Sequence, residues 1–210
     1  MQESKNNRHQ NNSKDQENEV QLWENFIKGN KEAFSKLYQK YYYILYNYGF
    51  YLINNEELVK DSMQEMFFNL WKNKDKLPIP TSIKGYLFKA FKNKLLDTAK
   101  KDSKFTYEED VSLKYDTQRD ESYESRLISE LTSEENQYRL EQAINQLTKR
   151  QKEAVFLRFF ENLSYPEIAK ILSIGIDAVY VLISRAVDVL RKHFAKVVLL
   201  ISIILGFIFN

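Results

Sequence analysis

The sequence of 210 residues contains no cysteine, only two histidines, five glycines and three prolines. Without cysteine the chain has no disulfide, no thiolate ligand for zinc and no cysteine nucleophile. The two histidines, His9 and His193, lie in flanking segments, so metal and general-base chemistry lack their commonest side chain. The scarcity of glycine and proline argues against phosphate-binding loops and turn-rich β folds. We therefore expect no enzyme activity, no metal and no cofactor.

The chain also lacks a large excess of charge, because 31 basic residues against 29 acidic ones leave a net charge of +2. The segments differ, however. Residues 84–104 carry seven lysines and two aspartates, which gives +5, and residues 139–196 carry ten bases and six acids, which gives +4. Between them, residues 106–135 carry three bases and ten acids, which gives −7. The low total is therefore a cancellation between two basic segments and an acidic connector.

Hydrophobic residues make up 43% of the chain and aromatic residues 14%, which is enough for packed cores. Apolar residues recur at spacings of three, four and seven, and this period predicts an all-α protein of two small helical domains. The expected segments are a disordered polar tail at 1–19, a helical domain at 20–102, an acidic linker at 103–135, a domain with a helix-turn-helix at 136–194, and an apolar tail at 195–210. No apolar run begins the chain, so we expect no signal peptide and a cytoplasmic protein.

A helix is predicted from Asn55 to Lys72, with one apolar stripe and one polar face. The polar face comprises Asp61, Gln64, Glu65, Phe68 and Lys72. Phe68 among carboxylates suits an anchor for a partner protein. An exposed phenylalanine without a binding role explains the pattern equally well, because single apolar residues are common on protein surfaces. For the nine aromatic residues between Phe34 and Tyr51, a tyrosine-rich core is favoured over a ligand-binding aromatic box.

A further helix is predicted after Pro78 and Pro80, capped by Thr81 or Ser82 and running to about Lys101. Its lysines alternate with aromatic residues. This pattern suits a nucleic-acid strand, since lysines bind phosphates and rings can stack on unpaired bases. A solvated lysine face over an aromatic core would give the same pattern, so both interpretations stay open.

The second domain carries two capping boxes, in which a Ser or Thr precedes a Gln or Glu by three residues. Thr148 with Gln151 opens a predicted helix Lys149–Phe160, and Ser164 with Glu167 opens a helix over Tyr165–Leu172. The chain breaks at Ser173-Ile174-Gly175, and a helix then resumes from about Ile176 to Phe194. Two helices joined by so short a turn match a helix-turn-helix. Its expected core-facing residues are Ile168, Ala169, Leu172, Ile174, Val179, Ile183 and Ala186.

Several segments resemble a known family, the extracytoplasmic-function type of bacterial RNA polymerase sigma factors. Val59 to Trp71 (VKDSMQEMFFNLW) and Ile83 to Asp97 (IKGYLFKAFKNKLLD) look like region 2, the promoter-melting domain. Leu163 to Leu172 (LSYPEIAKIL), continuing to Ile183 to Ala186 (ISRA), looks like region 4, which reads the upstream promoter element. The resemblance covers roughly residues 20–102 and 136–194, in the order and spacing of the family.

The resemblance implies a sigma factor that binds core RNA polymerase and directs promoter recognition, promoter melting and initiation, with promoter DNA as its second partner. It leaves open whether an anti-sigma factor binds. The residues that it places at the polymerase are Asp61, Gln64, Glu65, Phe68 and Trp71. The residues that it places at promoter DNA in the first domain are Lys89, Lys92, Asn93 and the neighbouring Lys84, Lys100 and Lys101.

The helix that follows the turn departs from the family, because no Lys or Arg lies between Lys170 and Arg185. Arginine and lysine are the usual readers of guanine, so this helix is poorly equipped for direct readout. The candidate DNA contacts that remain are Tyr180, Ser184 and Arg185, with Arg191 and Lys192 near phosphates. Such a surface either relies on DNA shape and on proximity held by polymerase, or faces a protein.

The run from Val197 to Phe209 contains 13 residues interrupted only by Ser202 and Gly206. As a helix it would span about 20 Å, short of the roughly 30 Å hydrocarbon core of a membrane. Three interpretations stay open: a helical extension packed on region 4 or on a regulatory partner, peripheral membrane contact through 197–209, and a tail without function. One hypothesis is that this tail covers Val181 and Leu182 until a partner displaces it. The alternative function for the whole chain is a stand-alone helix-turn-helix regulator with a membrane-associated tail.

Overall fold

The computed structural model describes the backbone of residues 18–101 and 142–208, and the side chains as far as Lys192. Every regular element within these ranges is a helix, which confirms the predicted all-α class. The chain divides between Tyr107 and Glu108 into two compact units, and each contains one of the described ranges. The predicted polar tail up to residue 17 and the predicted acidic linker lie outside the described residues, so both stay predictions.

The first unit contains helix α1 over 18–27, α2 over Lys31–Ile53, α3 over Glu56–Lys72, a short 3-10 helix over Lys74–Lys76, and α4 over Ile83–Lys101. Short segments rich in asparagine separate α1, α2 and α3, and residues 77–82, which include two prolines, precede α4. The break between α1 and α2 lies at Gly29, whose φ of +90° favours glycine. The side chain of Asn30 then caps α2, and that of Asn55 caps α3, each by accepting from a backbone N–H. Of the two predicted caps of α4, Ser82 accepts a hydrogen bond from the backbone N–H of Gly85 at 3.0 Å.

The first helix begins earlier than the predicted end of the polar tail. Asn18 and Glu19 already belong to α1. The reason is tertiary, since the Glu19 carboxylate pairs with Lys40 at 2.6 Å and accepts a hydrogen bond from the hydroxyl of buried Tyr41. These contacts stabilise a polar start of the helix that local composition alone does not predict.

Aromatic side chains dominate the core of the first unit. The fully buried ones are Trp23, Phe26, Tyr41, Tyr48, Phe88 and Phe91. Trp23 satisfies its indole N–H on the carbonyl of Pro78 at 3.1 Å, which ties the loop before α4 to α1. The tyrosine-rich segment of α2 therefore contributes to the core as expected, although Tyr38 and Tyr43 remain exposed.

In the second unit, residues 142–145 form a short helical stretch that precedes α5 over Lys149–Val155. Helices α6 over Tyr165–Leu172 and α7 over Ile176–Ile208 follow, and both predicted capping boxes are present. The helix predicted over Lys149–Phe160 changes its winding, because residues Phe156–Phe160 form a π-helical segment. There the backbone N–H of Glu161 bonds to the carbonyl of Phe156 at 3.2 Å, and wider turns of this kind are frequent at functional sites.

The helix-turn-helix formed by α6 and α7 packs largely as predicted. Its fully buried side chains are Ile168, Ala169, Ile171, Val179, Ile183 and Ala186. Leu172 and Ile174 are only half-buried, and Ile171 takes the inner position because it shares the face of Ile168, three residues earlier. The turn itself uses Ser173 in the left-handed conformation, with a φ of +54°.

Helix α7 runs without interruption from Ile176 to Ile208, 14 residues beyond the predicted end at Phe194. At 1.5 Å per residue, Val197 lies roughly 24 Å along the axis from Val181. The apolar end of one continuous helix cannot fold back over Val181 and Leu182, so the hypothesis of a self-covering tail is wrong. Among the described residues no helix combines the length and the apolar character needed to span a bilayer.

Candidate protein and nucleic-acid interfaces

The polar face of α3 is exposed along its whole length. Asp61, Gln64, Glu65 and Phe68 all lie on it, opposite the buried stripe of Val59, Met63, Met66, Phe67 and Leu70. Neighbouring phenylalanines differ sharply, since Phe67 is 4% exposed whereas Phe68 is 61% exposed. An exposed aromatic ring among acidic residues is the composition expected of an anchor in a protein interface. We call these four residues the acidic-aromatic face.

Trp71, the fifth residue predicted at the polymerase, lies at the border of the core. Its ring centroid is 5.0 Å from that of Phe34 and 6.3 Å from that of Phe26. The ammonium group of Lys74 lies 5.0 Å from its ring centroid, a distance at which a cation is attracted to the ring face. Trp71 is half-buried, so it stabilises the end of α3 while part of its ring remains accessible.

An ion pair links the acidic-aromatic face to the next helix. The ammonium group of Lys94 on α4 contacts the carboxylate of Glu65 on α3. The Lys94 side chain is 18% exposed and the Glu65 side chain 53%, so the pair is shielded from water on the lysine side only. Sequence patterning did not predict this contact, because it joins residues 29 positions apart on different helices. It fixes the position of the acidic-aromatic face relative to α4.

The exposed side chains of α4 are mostly basic, with Asp97 as the acid among them. Lys89, Asn93, Lys100 and Lys101 are exposed, whereas Lys84 and Lys92 are half-buried. We call these six residues the α4 basic face. The ammonium group of Lys84 lies 5.9 Å from the ring centroid of Phe88, which orients its alkyl chain along the core. The predicted DNA-binding residues of the first unit are therefore all on one helix and reachable, in whole or in part, by a ligand.

The aromatic residues of α4 do not share that exposure. Phe88 and Phe91 are 0% exposed, so neither ring can stack on a base in this conformation. For these two rings the interpretation of a lysine face over an aromatic core is therefore the correct one. Tyr86 is the half-buried exception. Its ring packs edge-on against Trp23 at 5.4 Å, and burial raises the pKa of its hydroxyl.

In the second unit, the predicted contacts on α7 face solvent. Tyr180 is 53% exposed, and Ser184, Arg185, Arg191 and Lys192 are exposed as well. These positions follow the turn of a helix-turn-helix, where the second helix enters the major groove in the known DNA complexes of this motif. The side chains are thus accessible for the role predicted from sequence.

A stack of three side chains supports this surface from behind. The rings of Tyr165 on α6 and Tyr180 on α7 lie parallel, 4.1 Å apart. The Arg158 guanidinium lies 5.2 Å from the Tyr165 ring centroid and donates a hydrogen bond to the carbonyl of Leu163 at 3.0 Å. Neither Arg158 nor Tyr165 was predicted from sequence, because residues 15 positions apart reveal no contact through helical period. The stack covers one face of Tyr180 and fixes its ring.

The comparisons with known proteins agree with this architecture. Residues 137–190 match the family model described as sigma-70, region 4. The chain is 27% identical over 164 residues to the ECF RNA polymerase sigma factor SigX of Bacillus subtilis (strain 168), with 78% of this chain and 84% of that protein covered. It is 26% identical over 170 residues to the RNA polymerase sigma factor YlaC of the same organism, with 79% of this chain and 94% of that protein covered.

Among solved structures, the fold is similar to that of the sigma factor RpoE in its complex with the anti-sigma factor NepR from Bartonella quintana. The TM-score is 0.52 at 18% identity, with 77% of this chain and 96% of that chain covered. The helix-turn-helix of the second unit lies within the residues that match sigma-70, region 4. In sequence, the chain is similar to RNA polymerase sigma factors, among them one of the extracytoplasmic-function type.

Proposed function

We propose that the protein is a dissociable promoter-specificity subunit of RNA polymerase, which binds the core enzyme, opens promoter DNA and directs initiation. The observation that carries the proposal is the arrangement of the first unit. It presents an acidic-aromatic face on α3 and a basic face on α4, and the Glu65–Lys94 pair links the two helices. One small unit can therefore contact a protein and a nucleic acid at once.

The acidic-aromatic face is the proposed contact with core polymerase. Phe68 supplies the apolar anchor, and Asp61 and Gln64 supply polar contacts around it. Because Glu65 is already paired with Lys94, Asp61 is the acid on this face that contributes most to steering a basic partner. Trp71 contributes from the border, where Phe34 and Lys74 orient its ring.

The α4 basic face is the proposed contact with the melted promoter strand. Lys89, Lys100 and Lys101 are positioned for phosphates, and the Asn93 amide can hydrogen-bond to the edge of an unpaired base. Since Phe88 and Phe91 are buried, base capture on this helix depends on polar contacts and on Tyr86 rather than on a row of stacked rings. The reaction involves binding and strand opening and forms no covalent bond.

The second unit is the proposed reader of the upstream promoter element, with Arg185, Arg191 and Lys192 near phosphates and Tyr180 and Ser184 near bases. We also propose an anti-sigma factor as a regulator, supported by the likeness to a sigma factor solved with its anti-sigma partner. Because core polymerase and promoter DNA are the partners, we place the protein in the cytoplasm. Peripheral membrane contact through 197–209 stays a prediction from sequence.

The test is in vitro transcription from genomic DNA with core polymerase and the purified protein, followed by mapping of the start sites. We expect new, defined start sites that require the protein. In parallel, Asp61→Lys should weaken binding to core polymerase at least tenfold, because it reverses charge at the centre of the interface. Asp97→Lys, a reversal at an exposed position of α4, is the matched control and should bind core normally.

Circular dichroism must show the same helicity for both variants. Binding of core by Asp61→Lys at the strength of the control would contradict the assigned face. Start sites that do not depend on the protein would overturn the function itself. Tight binding of duplex DNA without polymerase in a mobility-shift assay would support the stand-alone regulator instead.

A further inference from the structure

The centre of the exposed surface of α7 carries an unusual set of side chains for a DNA-reading helix. Asp177, Val181 and Ser184 lie at intervals of four and three residues, so they form one line along the helix. All three are exposed, and Val181 is 46% exposed. The buried face, with Val179, Ile183 and Ala186, lies on the opposite side. Asp177, Val181 and Ser184 are called the central line below.

Cations flank the central line rather than forming it. Lys170 at the end of α6 and Arg185, Arg191 and Lys192 on α7 are exposed, and no Lys or Arg lies between Lys170 and Arg185. In a helix-turn-helix the N-terminal part of the second helix contacts base edges, while residues around it contact the backbone. The flanking cations are therefore placed for phosphates, and the bidentate contact of Arg or Lys with guanine is absent from the centre.

The chemistry of the central line selects other features of the major groove. The thymine C5-methyl group is the one apolar feature that a base pair presents there, and apolar side chains recognise it. Val181 offers two methyl groups at the middle of the line. Asp177, one turn earlier, can accept a hydrogen bond from the N4 amino group of cytosine. A carboxylate is repelled by the acceptor atoms of guanine and by the phosphates.

Val181 is the one apolar side chain of the central line, so within that line the contact with a methyl group falls to it. Tyr180 lies to one side of the line, where its ring stacks on that of Tyr165 at 4.1 Å. The left-handed Ser173 turn and the buried Val179 fix the start of α7. A side chain on a rigid helix, one turn after the start of that helix, can recognise a base specifically because its position is fixed.

We infer that the upstream promoter element is recognised through a thymine methyl group at Val181 and a cytosine amino group at Asp177, without arginine–guanine contacts. The inference rests on the proposed function as a promoter-specificity subunit. It favours DNA over a protein partner because the four exposed cations around the apolar centre outnumber the two exposed acids, Asp177 and Asp188, as a contact with phosphates requires.

The test uses holoenzyme on the strongest promoter found by mapping start sites. Each thymine of its upstream element is replaced by deoxyuridine, which removes only the methyl group. Transcription at limiting holoenzyme is compared for the wild type and for Val181→Ala. We expect one deoxyuridine position to lower wild-type transcription about fourfold, the effect of one buried methyl group. The Val181→Ala holoenzyme should show almost no response to the same position, because its partner group is missing.

Two controls separate the alternatives. Val20→Ala, the same change at an exposed position of the first unit, should respond to deoxyuridine as the wild type does. Equal sensitivity of wild type and Val181→Ala to every deoxyuridine would overturn the inference, as would no sensitivity in either. Weaker binding of Val181→Ala to core polymerase without DNA would show that the surface faces a protein and would overturn it as well. If the wild type initiates at no defined site even on unmodified DNA, the proposed function fails instead.

Discussion

Replacing Phe68 by alanine tests the acidic-aromatic face most directly, because its neighbour Phe67 provides a matched control. Phe68 is 61% exposed, and a phenylalanine side chain offers about 200 Å² of surface, so about 120 Å² of the ring is left for a partner to cover. At about 25 cal/mol per Å², that burial is worth about 3 kcal/mol. Loss of the ring should therefore weaken binding to core polymerase about 100-fold.

The same substitution should leave the fold intact. Exposed positions away from special contacts usually change stability by less than about 0.5 kcal/mol. Phe67→Ala should behave in the opposite way, since Phe67 is 4% exposed and packs against Phe34 and Tyr38. Truncating a buried phenylalanine costs about 3–5 kcal/mol, a large part of the stability of a small unit.

The assay is a fluorescence titration of core polymerase with each variant, together with urea unfolding of each variant alone. The expected pair of results is weak binding with normal stability for Phe68→Ala, and low stability for Phe67→Ala. A folded Phe68→Ala protein that binds core as tightly as the wild type would refute the assignment of this face. A Phe68→Ala protein that unfolds at much lower urea would refute the exposure on which the argument depends.

Three further predictions concern packing, charge and DNA. A Cβ on Gly49 would lie 2.6 Å from the ring of buried Phe91, so Gly49→Ala should lower the free energy of unfolding by about 1–2 kcal/mol despite better helix propensity. A Cβ on Gly175 meets open space, so Gly175→Ala should not lower the free energy of unfolding in this way. Equal urea midpoints for the two variants would contradict this prediction. Burial lowers the pKa of Lys152, so at a pH below that lowered pKa the charged side chain destabilises the folded unit. This destabilisation disappears as the pH rises from the lowered pKa of the folded state to the ordinary pKa of lysine. The wild type should therefore gain stability relative to Lys152→Met over that alkaline range. Parallel curves of unfolding free energy against pH for the two proteins would contradict this prediction. Lys89→Ala should reduce the slope of log affinity against log salt for promoter DNA by about 0.7–0.9, and an unchanged slope would remove Lys89 from the DNA contact.

The parts of the fold that depend on neighbours in the chain were predictable from sequence. Both capping boxes, the break at Gly29 and the turn at Ser173 follow from residue type over three or four positions, and each is present. The exposure of the polar face of α3 follows from helical period in the same way. Local rules predicted the ends of helices less well, because the start of α1 depends on contacts of Glu19 with Tyr41 and Lys40.

The site was harder to predict wherever a contact joins distant residues. The Glu65–Lys94 pair and the Tyr165–Tyr180 stack depend on how helices cross, which a single sequence does not encode in its period. The rings of α4 show the same difficulty, since a lysine face over a buried core and a basic-aromatic DNA surface share one pattern. Only packing shows that Phe88 and Phe91 are inside. The functional roles assigned to the exposed residues stay predictions until they are tested.

The uninterrupted course of α7 has a mechanical consequence. A helix of 33 residues is a rod about 50 Å long, and the central line occupies its first third. Because the helix is continuous from Ile176 to Ile208, tilting its far end also tilts the central line. If Val181 contacts a thymine methyl group as inferred above, such a tilt would change the fit between them. A surface that binds the apolar end of α7 would therefore change the orientation of the central line relative to promoter DNA.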